Sequence, residues 1–393
     1  MTRKNQEDIL LRGVHDITVR KSLEKKLASG KKLRIKHGVD PTTANLHLGY
    51  AVIYRKLRAF QELGHTVIFL IGDFTGRFGD PTDKEKTRVM RSKHDVEAAA
   101  KSYIDQIGLM LDTKKLEIRR NSEWYDKMSA EDLLRVMSEF TVARMLERDM
   151  FQKRIKDGKE IGLHEPVYPV LQAWDSVQLK SDVTVIGTDQ TFNELQARVL
   201  QERHGQAPQD VMSMRILVGT DGVQKMSQSL GNAISLKTKP EDMFGKIMSI
   251  PDSAVGQYFE LLTDIPLNEV IEIAKDKKNA MENKKRLAKI IVSEFHSDTE
   301  AGQAEKYFVS TIQKKEVPKF LPEFRIPVHG PSLLVSDVVK EVWEVSRSEA
   351  RRLIKQGGLS IDGVILKEDE EARSGVYKKG KLHFVKVIND QKS

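Results

Sequence analysis

Apolar and polar positions in the first part of the chain predict a strand, a helix and a second strand. Residues 33–39 (LRIKHGV) have the length and composition of a short strand, and residues 47–63 place their apolar side chains on one helical face. Residues 66–71 (TVIFLI) are almost wholly apolar, which is typical of a strand covered on both faces. This strand–helix–strand unit indicates a parallel α/β sheet.

The middle of the chain continues the α/β pattern. A mixed helical stretch is predicted from about residue 84 to residue 150, with breaks near Asp112 and Asn121. Residues 183–187 (VTVIG) have the pattern of another buried strand, and residues 192–203 that of the helix after it.

The last part of the chain has a different pattern. Residues 240–313 are rich in lysine and helical in periodicity, without strand signals. The proline-bearing stretch 317–331 suits an extended linker, because its prolines are incompatible with a helix. A small module follows at about 332–388, with a helical part over 336–356 and a hairpin turn predicted at Asp362–Gly363.

The composition narrows the class of protein. The 393 residues exceed what one hydrophobic core usually supports, so two or three domains are expected. With 39% hydrophobic and 31% charged residues and only short apolar runs, we expect a globular, non-membrane, cytoplasmic protein whose charged first residues are unlike a secretory signal. The chain has no cysteine, which excludes disulfides, thiolate catalysis and cysteine zinc sites. Its net charge of +8 favours a polyanionic partner.

The first candidate for chemistry is the segment from Asp40 to Tyr50, which joins the first predicted strand to its helix. A helix N-terminus has unpaired N–H groups and a positive dipole, so it binds phosphate well. His47 would donate to a phosphate oxygen there, and Gly49 would let a flat purine lie against the backbone. A surface histidine beside a helix-packing glycine explains the same residues equally simply.

The second candidate is the segment Lys225–Asn232 (KMSQSLGN), which follows a turn-like Gly-Thr-Asp-Gly sequence. A loop that carries Lys225 and the Ser227 and Ser229 hydroxyls can close on a triphosphate, where the lysine neutralises charge on leaving pyrophosphate. A solvated loop with one lysine is the plain alternative. Together, the His47 segment and this loop resemble the two hallmark motifs of class I aminoacyl-tRNA synthetases, whose catalytic domain is a Rossmann-type sheet split by an insertion.

A third group of polar residues points to an amino-acid substrate. Tyr168, Gln172 and Asp175 occur at i, i+4 and i+7, so a helix places them on one face. Spacing alone fits a partly buried polar stripe as well. The segment resembles the tyrosine-binding helix of tyrosyl-tRNA synthetases. That resemblance implies that Tyr168 and Gln172 contact the substrate ammonium and that Asp175 accepts from its phenol, which would reject phenylalanine.

Two turns support this resemblance. The turn Gly187-Thr188-Asp189-Gln190 follows a predicted strand, where ligands of parallel sheets bind. The likeness implies that Gly187 and Asp189 approach the ATP ribose and that Gln190 approaches the substrate end or the α-phosphate. A Gly-Asp-Pro turn would place Asp80 near the substrate ammonium.

The resemblance assigns the remaining positions of the nucleotide site as well. It implies ATP as a substrate, with Mg²⁺ bound to it mainly through phosphate oxygens and water and without a dedicated protein metal site. The residues implied in binding or neutralising the nucleotide are Asp40, Thr42, His47, Gly49, Lys84, Lys225 and Ser227.

The C-terminal module resembles the small-subunit ribosomal-protein type of RNA-binding domain. Arg347, Arg351 and Lys355 repeat every four residues, which gives one helix a cationic face suited to an RNA backbone. A solvated helix with i,i+4 charges is the alternative. The resemblance implies a tRNA partner, here tRNA(Tyr), and a homodimer with contacts near the insertion.

Three positions depart from the family pattern. Tyr50 replaces the usual polar residue of the first motif, and Gln228 replaces the second lysine of the loop, which removes one charge. Lys36 stands where one bacterial branch has a tyrosine that contacts the substrate hydroxyl. Phenol recognition would therefore depend more on Asp175.

We therefore predict an α/β enzyme that activates tyrosine with ATP and transfers it to tRNA. The expected organisation is a Rossmann-type catalytic domain with an insertion at about 110–165, a helical anticodon-binding domain, a linker and a small α+β RNA-binding domain, at 1–235, 236–316, 317–331 and 332–393. A tryptophanyl-tRNA synthetase and an RNA-binding protein that has lost catalysis remain as alternatives.

Overall fold

The computed structural model describes residues 8–41, 45–81, 91–313, 321–326, 333–380 and 383–389. Two compact units make up the chain. The first consists of Met1–Thr238 with Ile250–Asn283, and the second of Lys239–Ser249 with Lys284–Ser393.

The first unit contains the larger sheet and the helices that pack on it. Its strands are β1 (Val14–Thr18), β2 (Arg34–Val39), β3 (Thr66–Ile71), β4 (Leu116–Arg120), β5 (Val183–Gly187) and β6 (Asp210–Met214). Its helices up to the last strand are α1 (Arg20–Ala28), α2 (Leu48–Glu62), α3 (Lys93–Ile107), α4 (Ser122–Tyr125), α5 (Ala130–Ser138), α6 (Val142–Met145), α7 (Asp149–Lys156), α8 (Tyr168–Leu179) and α9 (Thr191–Arg203).

The larger sheet has the order β1-β6-β5-β2-β3-β4. Strands β2 to β6 are parallel to their neighbours, and β1 is an antiparallel edge strand beside β6. The chain moves outward from β2 to β3 on one side and from β5 to β6 on the other. The point where the strand order reverses therefore lies between β2 and β5, and ligands of such sheets bind outside the carboxyl ends of the strands there.

The strands with apolar runs were predicted correctly, and those with polar side chains were missed. The predictions at 33–39, 66–71 and 183–187 are confirmed as β2, β3 and β5. The predicted helical stretch from 84 to 150 is wrong at β4, whose five half-buried residues, LEIRR, carry mostly polar side chains. β6 is wholly buried although its sequence, DVMSM, contains aspartate and serine, so no apolar run marked it.

The 240–313 stretch is helical as predicted. It contains α10 (Pro240–Met248), α11 (Asp252–Leu262), α12 (Leu267–Lys275), α13 (Ala280–Phe295) and α14 (Asp298–Phe308). Helices α11 and α12 belong to the first unit, whereas α10 and α14 belong to the second. The domain limits predicted from the sequence stay a prediction.

The second unit contains a smaller sheet with the order β7-β11-β10-β8-β9. Its elements are β7 (Glu323–Ile326), α15 (Val335–Trp343), α16 (Arg347–Lys355), β8 (Leu359–Ile361), β9 (Val364–Ile365), β10 (Gly375–Lys379) and β11 (His383–Asn389). Asp362 and Gly363 both have positive φ, 50° and 84°, as a tight β-hairpin requires, which confirms the predicted turn. β7 lies in the predicted linker and pairs with β11.

Candidate active site

A cavity of about 320 Å³ lies at the carboxyl ends of β2, β3 and β5, at the reversal of strand order. Eight of the predicted site residues line it: Asp40, Asp80, Tyr168, Gln172, Asp175, Gly187, Asp189 and Gln190. These residues come from four separate segments of the chain. The fold therefore assembles the predicted tyrosine helix and the turns after the strands around one space.

Asp40, immediately after β2, is held by two hydroxyl groups. Its Oδ2 accepts from the Tyr168 hydroxyl at 2.8 Å, and its Oδ1 accepts from Thr75 Oγ1 at 2.7 Å. Gly72 must lack a side chain here, because a Cβ at this position would lie 2.1 Å from Asp40 Oδ1. These two contacts fix the orientation of the Asp40 carboxylate beside α8. Burial raises the pKa of the Tyr168 phenol.

Asp175 is a buried carboxylate that accepts hydrogen bonds from side chains of the segment after β4. Only 4% of its surface is exposed. Trp124 Nε1 donates to Oδ1 at 3.0 Å and Asn121 Nδ2 donates to Oδ2 at 3.4 Å. Burial raises the pKa of Asp175 to about 7, while the positive charge of Lys36 opposes that rise. A group poised in this way can accept a hydrogen bond from a ligand hydroxyl.

A chain of side-chain amides connects Gln172 to Asp80 along the cavity wall. Asn193 Nδ2 donates to Gln172 Oε1 at 2.7 Å and to Gln190 Oε1 at 3.1 Å. Gln190 Nε2 in turn donates to Asp80 Oδ2 at 2.6 Å. Because both amide oxygens are engaged by donors, each amide has a defined orientation. The carboxylate of Asp80 is thus presented in a fixed position.

Lys36, from β2, forms a buried ion pair with Glu194 of α9. Its Nζ donates to Glu194 Oε2 at 2.9 Å and to Ser176 Oγ at 2.6 Å. Both ionic side chains are almost completely buried, with 1% exposure for each residue. Glu194 is also held by Gln172 Nε2 on Oε1 and by Gln209 Nε2 on Oε2, each at 2.7 Å. Both Lys36 and Glu194 line the cavity.

His47 is the N-terminal capping residue of α2, and it is neutral at physiological pH. Its Nδ1 accepts from the Gly49 backbone N–H at 3.2 Å, which leaves the proton on Nε2 as a possible donor. Burial lowers the pKa of His47 to about 4. A Cβ on Gly49 would come within 2.9 Å of the imidazole, so glycine keeps the ring in place. Tyr50 packs on the ring, with a centroid distance of 4.5 Å, and lines the cavity.

The Lys225 loop is folded around Asn232. Asn232 Oδ1 accepts from the Ser227 backbone N–H at 2.8 Å, and its Nδ2 donates to the Lys225 carbonyl at 3.2 Å. A single β-bridge joins His47 to Ser235, just after this loop. Gln228 Nε2 donates to the Asn45 carbonyl at 2.7 Å, which attaches the loop to the segment before α2. The two hallmark segments therefore lie side by side.

The remaining predicted positions do not belong to the described lining of the cavity. Thr42 and Lys84 fall outside the residues that the structure describes. Among the described residues that line the cavity, His47, Gly49, Lys225 and Ser227 are absent. His47 and Gly49 adjoin it through their neighbour Tyr50. The structure thus brings the predicted tyrosine-binding and ribose-binding positions into one space, and it places His47 and Gly49 next to that space through Tyr50.

The predicted RNA-binding residues lie in the second unit, on α16. Arg347 pairs with Asp337 of α15, and Arg351 Nε donates to Asp369 Oδ2 at 3.1 Å. Both arginine side chains remain more than half exposed, at 56% and 54% of their surface. Lys355, at the end of the same helix, is exposed. All three predicted cationic residues therefore keep access to solvent.

Several residues of the site were not predicted from the sequence. Trp124 and Asn121 follow β4, the strand that the sequence pattern missed, so no strand end drew attention to them. Glu194 lies on α9 without a motif of its own. The sequence offered one indirect signal for Glu194. Lys36 departs from the family pattern within a predicted strand, and a lysine that is buried there needs a carboxylate partner.

Known proteins are similar to this chain over most of its length. Residues 28–313 match the family model described as tRNA synthetases class I (W and Y). Tyrosine–tRNA ligase of Idiomarina loihiensis is 45% identical over 386 residues, which cover 96% of each chain. Tyrosine–tRNA ligase of Thermotoga maritima is 45% identical over 368 residues, 92% of this chain and 91% of its own.

Solved structures have the same fold. A C-terminally truncated mitochondrial tyrosyl-tRNA synthetase of Aspergillus nidulans superposes with a TM-score of 0.63, at 22% identity, over 77% of this chain and 92% of its own. Tyrosyl-tRNA synthetase of Archaeoglobus fulgidus complexed with L-tyrosine gives 0.62, at 21% identity, over 78% of this chain and 100% of its own. With its sequence relatives similar over nearly their whole length, this chain belongs to the class I tyrosyl-tRNA synthetase family.

Proposed function

We propose that this chain is a tyrosine–tRNA ligase that makes tyrosyl-adenylate from tyrosine and ATP and then transfers the tyrosyl group to the 3′ end of tRNA(Tyr). One observation carries the proposal: Tyr168, Gln172 and Asp175 face a single cavity at the reversal of strand order. The near full-length relatives named tyrosine–tRNA ligase support it.

At the amino-acid end, Asp175 accepts a hydrogen bond from the phenol of tyrosine. The donors from Trp124 and Asn121 support this role because they leave the carboxylate little freedom to turn. Phenylalanine would leave that buried carboxylate without its ligand partner, which is the costly situation that makes such sites selective. Tyr168, Gln172 and Asp80 bind the substrate ammonium, in keeping with their acceptor oxygens along the cavity wall.

At the nucleotide end, Gly187 and Asp189 contact the ribose, Gln190 lies near the reacting carboxylate or α-phosphate, and Gly49 accommodates the purine. The position of Gly187 and Asp189 at the end of β5 supports this assignment. Residues with charge or donors for the phosphates are Thr42, His47, Lys84, Lys225 and Ser227, whereas Asp40 contributes to the ATP site near the adenylate. Neutral His47 offers Nε2–H as a donor rather than a positive charge.

The first step is attack of the tyrosine carboxylate on the α-phosphorus of ATP. A P–O bond forms to the carboxylate as the bond to pyrophosphate breaks. In the second step the terminal ribose hydroxyl of the tRNA attacks the acyl carbon, and AMP leaves. No protein group forms a covalent bond, so the side chains act by positioning both substrates and by stabilising charge on the leaving pyrophosphate.

Mg²⁺ is proposed to arrive with ATP. In the described parts of the chain, no group of three or more histidine, aspartate or glutamate side chains is arranged to hold a metal ion. Coordination by phosphate oxygens and water suits this surrounding, because Mg²⁺ retains several waters when nucleotide is its main ligand.

The proposed partners of the protein are tRNA, through the cationic helix α16, and a second copy of the chain, through the insertion. Exposed apolar side chains on the insertion support the dimer: Leu134, Val142, Ile155 and Leu163. Within the described residues, no helix has the length and apolarity to cross a membrane. A cytoplasmic location remains part of the proposal.

One assay tests the proposed activity against its rivals. Amino-acid-dependent exchange of labelled pyrophosphate into ATP is measured with each of the twenty standard amino acids. Tyrosine alone should support exchange. Exchange with tryptophan would identify the other specificity of this family, and no exchange with any amino acid would identify an RNA-binding protein without synthetase activity.

A further inference from the structure

We propose that the buried Lys36–Glu194 ion pair is a positioning element whose two charges act on Asp175 in opposite directions, so that their balance sets how far Asp175 is ionised and how strongly the pocket selects a phenol. The inference rests on the proposed function, because it concerns the same amino-acid site. It assigns a role to Lys36 and Glu194, which act through Asp175. The observations that carry it are the burial and geometry of three ionisable side chains.

Three buried ionisable side chains line the cavity, and each comes from a different element. Lys36 lies on β2, Asp175 on α8 and Glu194 on α9, with exposures of 1%, 4% and 1%. Lys36 Nζ contacts Glu194 directly and also Ser176, the residue after Asp175. Two carboxylates and one ammonium group therefore share a desolvated region, so removing either charge of the ion pair changes the environment of Asp175.

The other groups that face Asp175 are polar but keep their charge state near neutral pH. Trp124 and Asn121 donate to it, and Tyr125 of α4 donates its hydroxyl to the Leu171 carbonyl at 2.6 Å. Burial raises the pKa of the phenols of Tyr125 and Tyr168, so both stay protonated.

His37 is the remaining titratable neighbour of the ion pair. Burial lowers its pKa to about 4, so it stays neutral above pH 5. His37 therefore adds no charge near pH 7. The cavity also contains the carboxylates of Asp40 and Asp80, which are held by Tyr168 and Gln190.

Ionisation of Asp175 matters because an anion accepts a phenol hydrogen bond more strongly than a neutral carboxylic acid does. Protonation also gives Asp175 an O–H donor that competes for the same position. Tyrosine affinity should therefore fall as the pH drops through the folded-state pKa of Asp175, which is about 7. Phenylalanine makes no such bond, so its affinity should not fall with this protonation and should rise as the unpaired buried charge is lost.

The two single substitutions should shift the pH profile in opposite directions. Lys36→Met leaves two buried carboxylates without their cation, so the midpoint for tyrosine binding should rise by about one pH unit. Glu194→Gln removes the competing carboxylate but leaves the lysine, so the midpoint should fall. The double variant K36M/E194Q removes one charge of each sign and should return the midpoint towards the wild-type value. If the two residues only supported the fold, each single substitution would weaken tyrosine binding, and the double variant would weaken it most.

The experiment is isothermal titration of tyrosine between pH 5.5 and 8.5 with the full-length protein. At pH 7.5, K36M should lose about threefold in tyrosine affinity, and at pH 6 about tenfold, as displacement of the midpoint by one pKa unit implies. Ser176→Ala is the matched control, because it removes a 2.6 Å contact to Lys36 without changing charge, and its midpoint should stay in place.

The inference is overturned if the pH midpoints of tyrosine binding in K36M and E194Q shift in the same direction or do not shift. Should K36M fail to fold, the downward shift in E194Q alone decides the question. Absence of tyrosine binding to the wild-type protein would instead contradict the proposed function, so the two failures are distinguishable.

Discussion

The amino-acid end and the phosphate end of the proposed site are built in different ways. Asp175, Lys36 and Glu194 project from helices and a strand, are nearly inaccessible to water and have their hydrogen bonds made before any ligand binds. The Lys225 loop is attached to the other hallmark segment through an exposed contact, Gln228 to Asn45. One end is a rigid, desolvated pocket, and the other is a solvent-accessible loop.

The difference follows from what each end has to do. Rejection of an amino acid that lacks one hydroxyl needs a buried polar group whose loss of partner is costly, and such a group needs rigid support. Entry of ATP and departure of pyrophosphate need an opening, so contacts there have to form and break at low cost. The buried charges of the amino-acid end suit selection, and the exposed hydrogen bonds of the phosphate end suit the entry of ATP and the release of pyrophosphate.

The largest effect is expected from removal of the buried acceptor. Asp175→Ala should reduce the preference for tyrosine over phenylalanine by about 10³-fold, because sites that hydrogen-bond a substrate hydroxyl owe most of their selectivity to that bond. The measurement is the ratio of kcat/KM for tyrosine and phenylalanine in pyrophosphate exchange.

Gln178→Ala is the control for this variant, since Gln178 is exposed on the same helix. It should leave the ratio unchanged. A strong rejection of phenylalanine by the Asp175→Ala protein would show that the phenol is recognised elsewhere.

The next largest effect concerns the phosphate end. Lys225→Ala should slow adenylate formation by about 10²-fold, since one well-placed charge on a developing anion contributes a few kcal/mol. Tyrosine affinity should stay the same, because Lys225 is absent from the described lining of the cavity. Rapid-quench measurement of a single turnover reports the rate, with Lys237→Ala, an exposed lysine after the loop, as the control. An unchanged rate excludes the role.

Sequence reasoning located the site residues that belong to short-range patterns. Tyr168, Gln172 and Asp175 have helical spacing, and Gly187 with Asp189 follows an apolar run that ends a strand. These patterns show which residues share a face or a strand end, and the resemblance to the family is what gave them their predicted roles. Their convergence on one cavity follows from the rule that parallel strands present their carboxyl ends at one edge.

The supporting contacts were beyond the sequence because they join distant segments. Lys36 and Glu194 are 158 positions apart, and Trp124 and Asp175 are 51 apart. No local periodicity relates such residues, and β4, which places Trp124, lacked the apolar run that marks a buried strand. The residues that make Asp175 rigid therefore emerge only once the chain is folded.

A smaller effect is expected when one support of the buried acceptor is removed. Trp124→Phe deletes the 3.0 Å bond to Asp175 Oδ1 and leaves Asn121 as a donor. Tyrosine affinity measured by calorimetry should fall about tenfold, equivalent to about 1.4 kcal/mol. Trp174→Phe on α8 is a matched control, because the Trp174 Nε1 atom makes no hydrogen bond to the described residues. Equal losses in both variants would indicate general loosening of the core.

The smallest effect is expected at the loop contact. Gln228→Ala removes the 2.7 Å bond to the Asn45 carbonyl, an exposed contact whose net contribution is below about 1 kcal/mol. The KM for ATP should rise about threefold, with the KM for tyrosine unchanged, in steady-state pyrophosphate exchange. Gln228→Lys separates the two properties of this position, because it adds a charge near the phosphates while losing the amide bond. A tenfold or larger change in the KM for tyrosine in the alanine variant would mean that the Lys225 loop and the amino-acid pocket are coupled. That result would contradict the separation between a rigid pocket and an open loop.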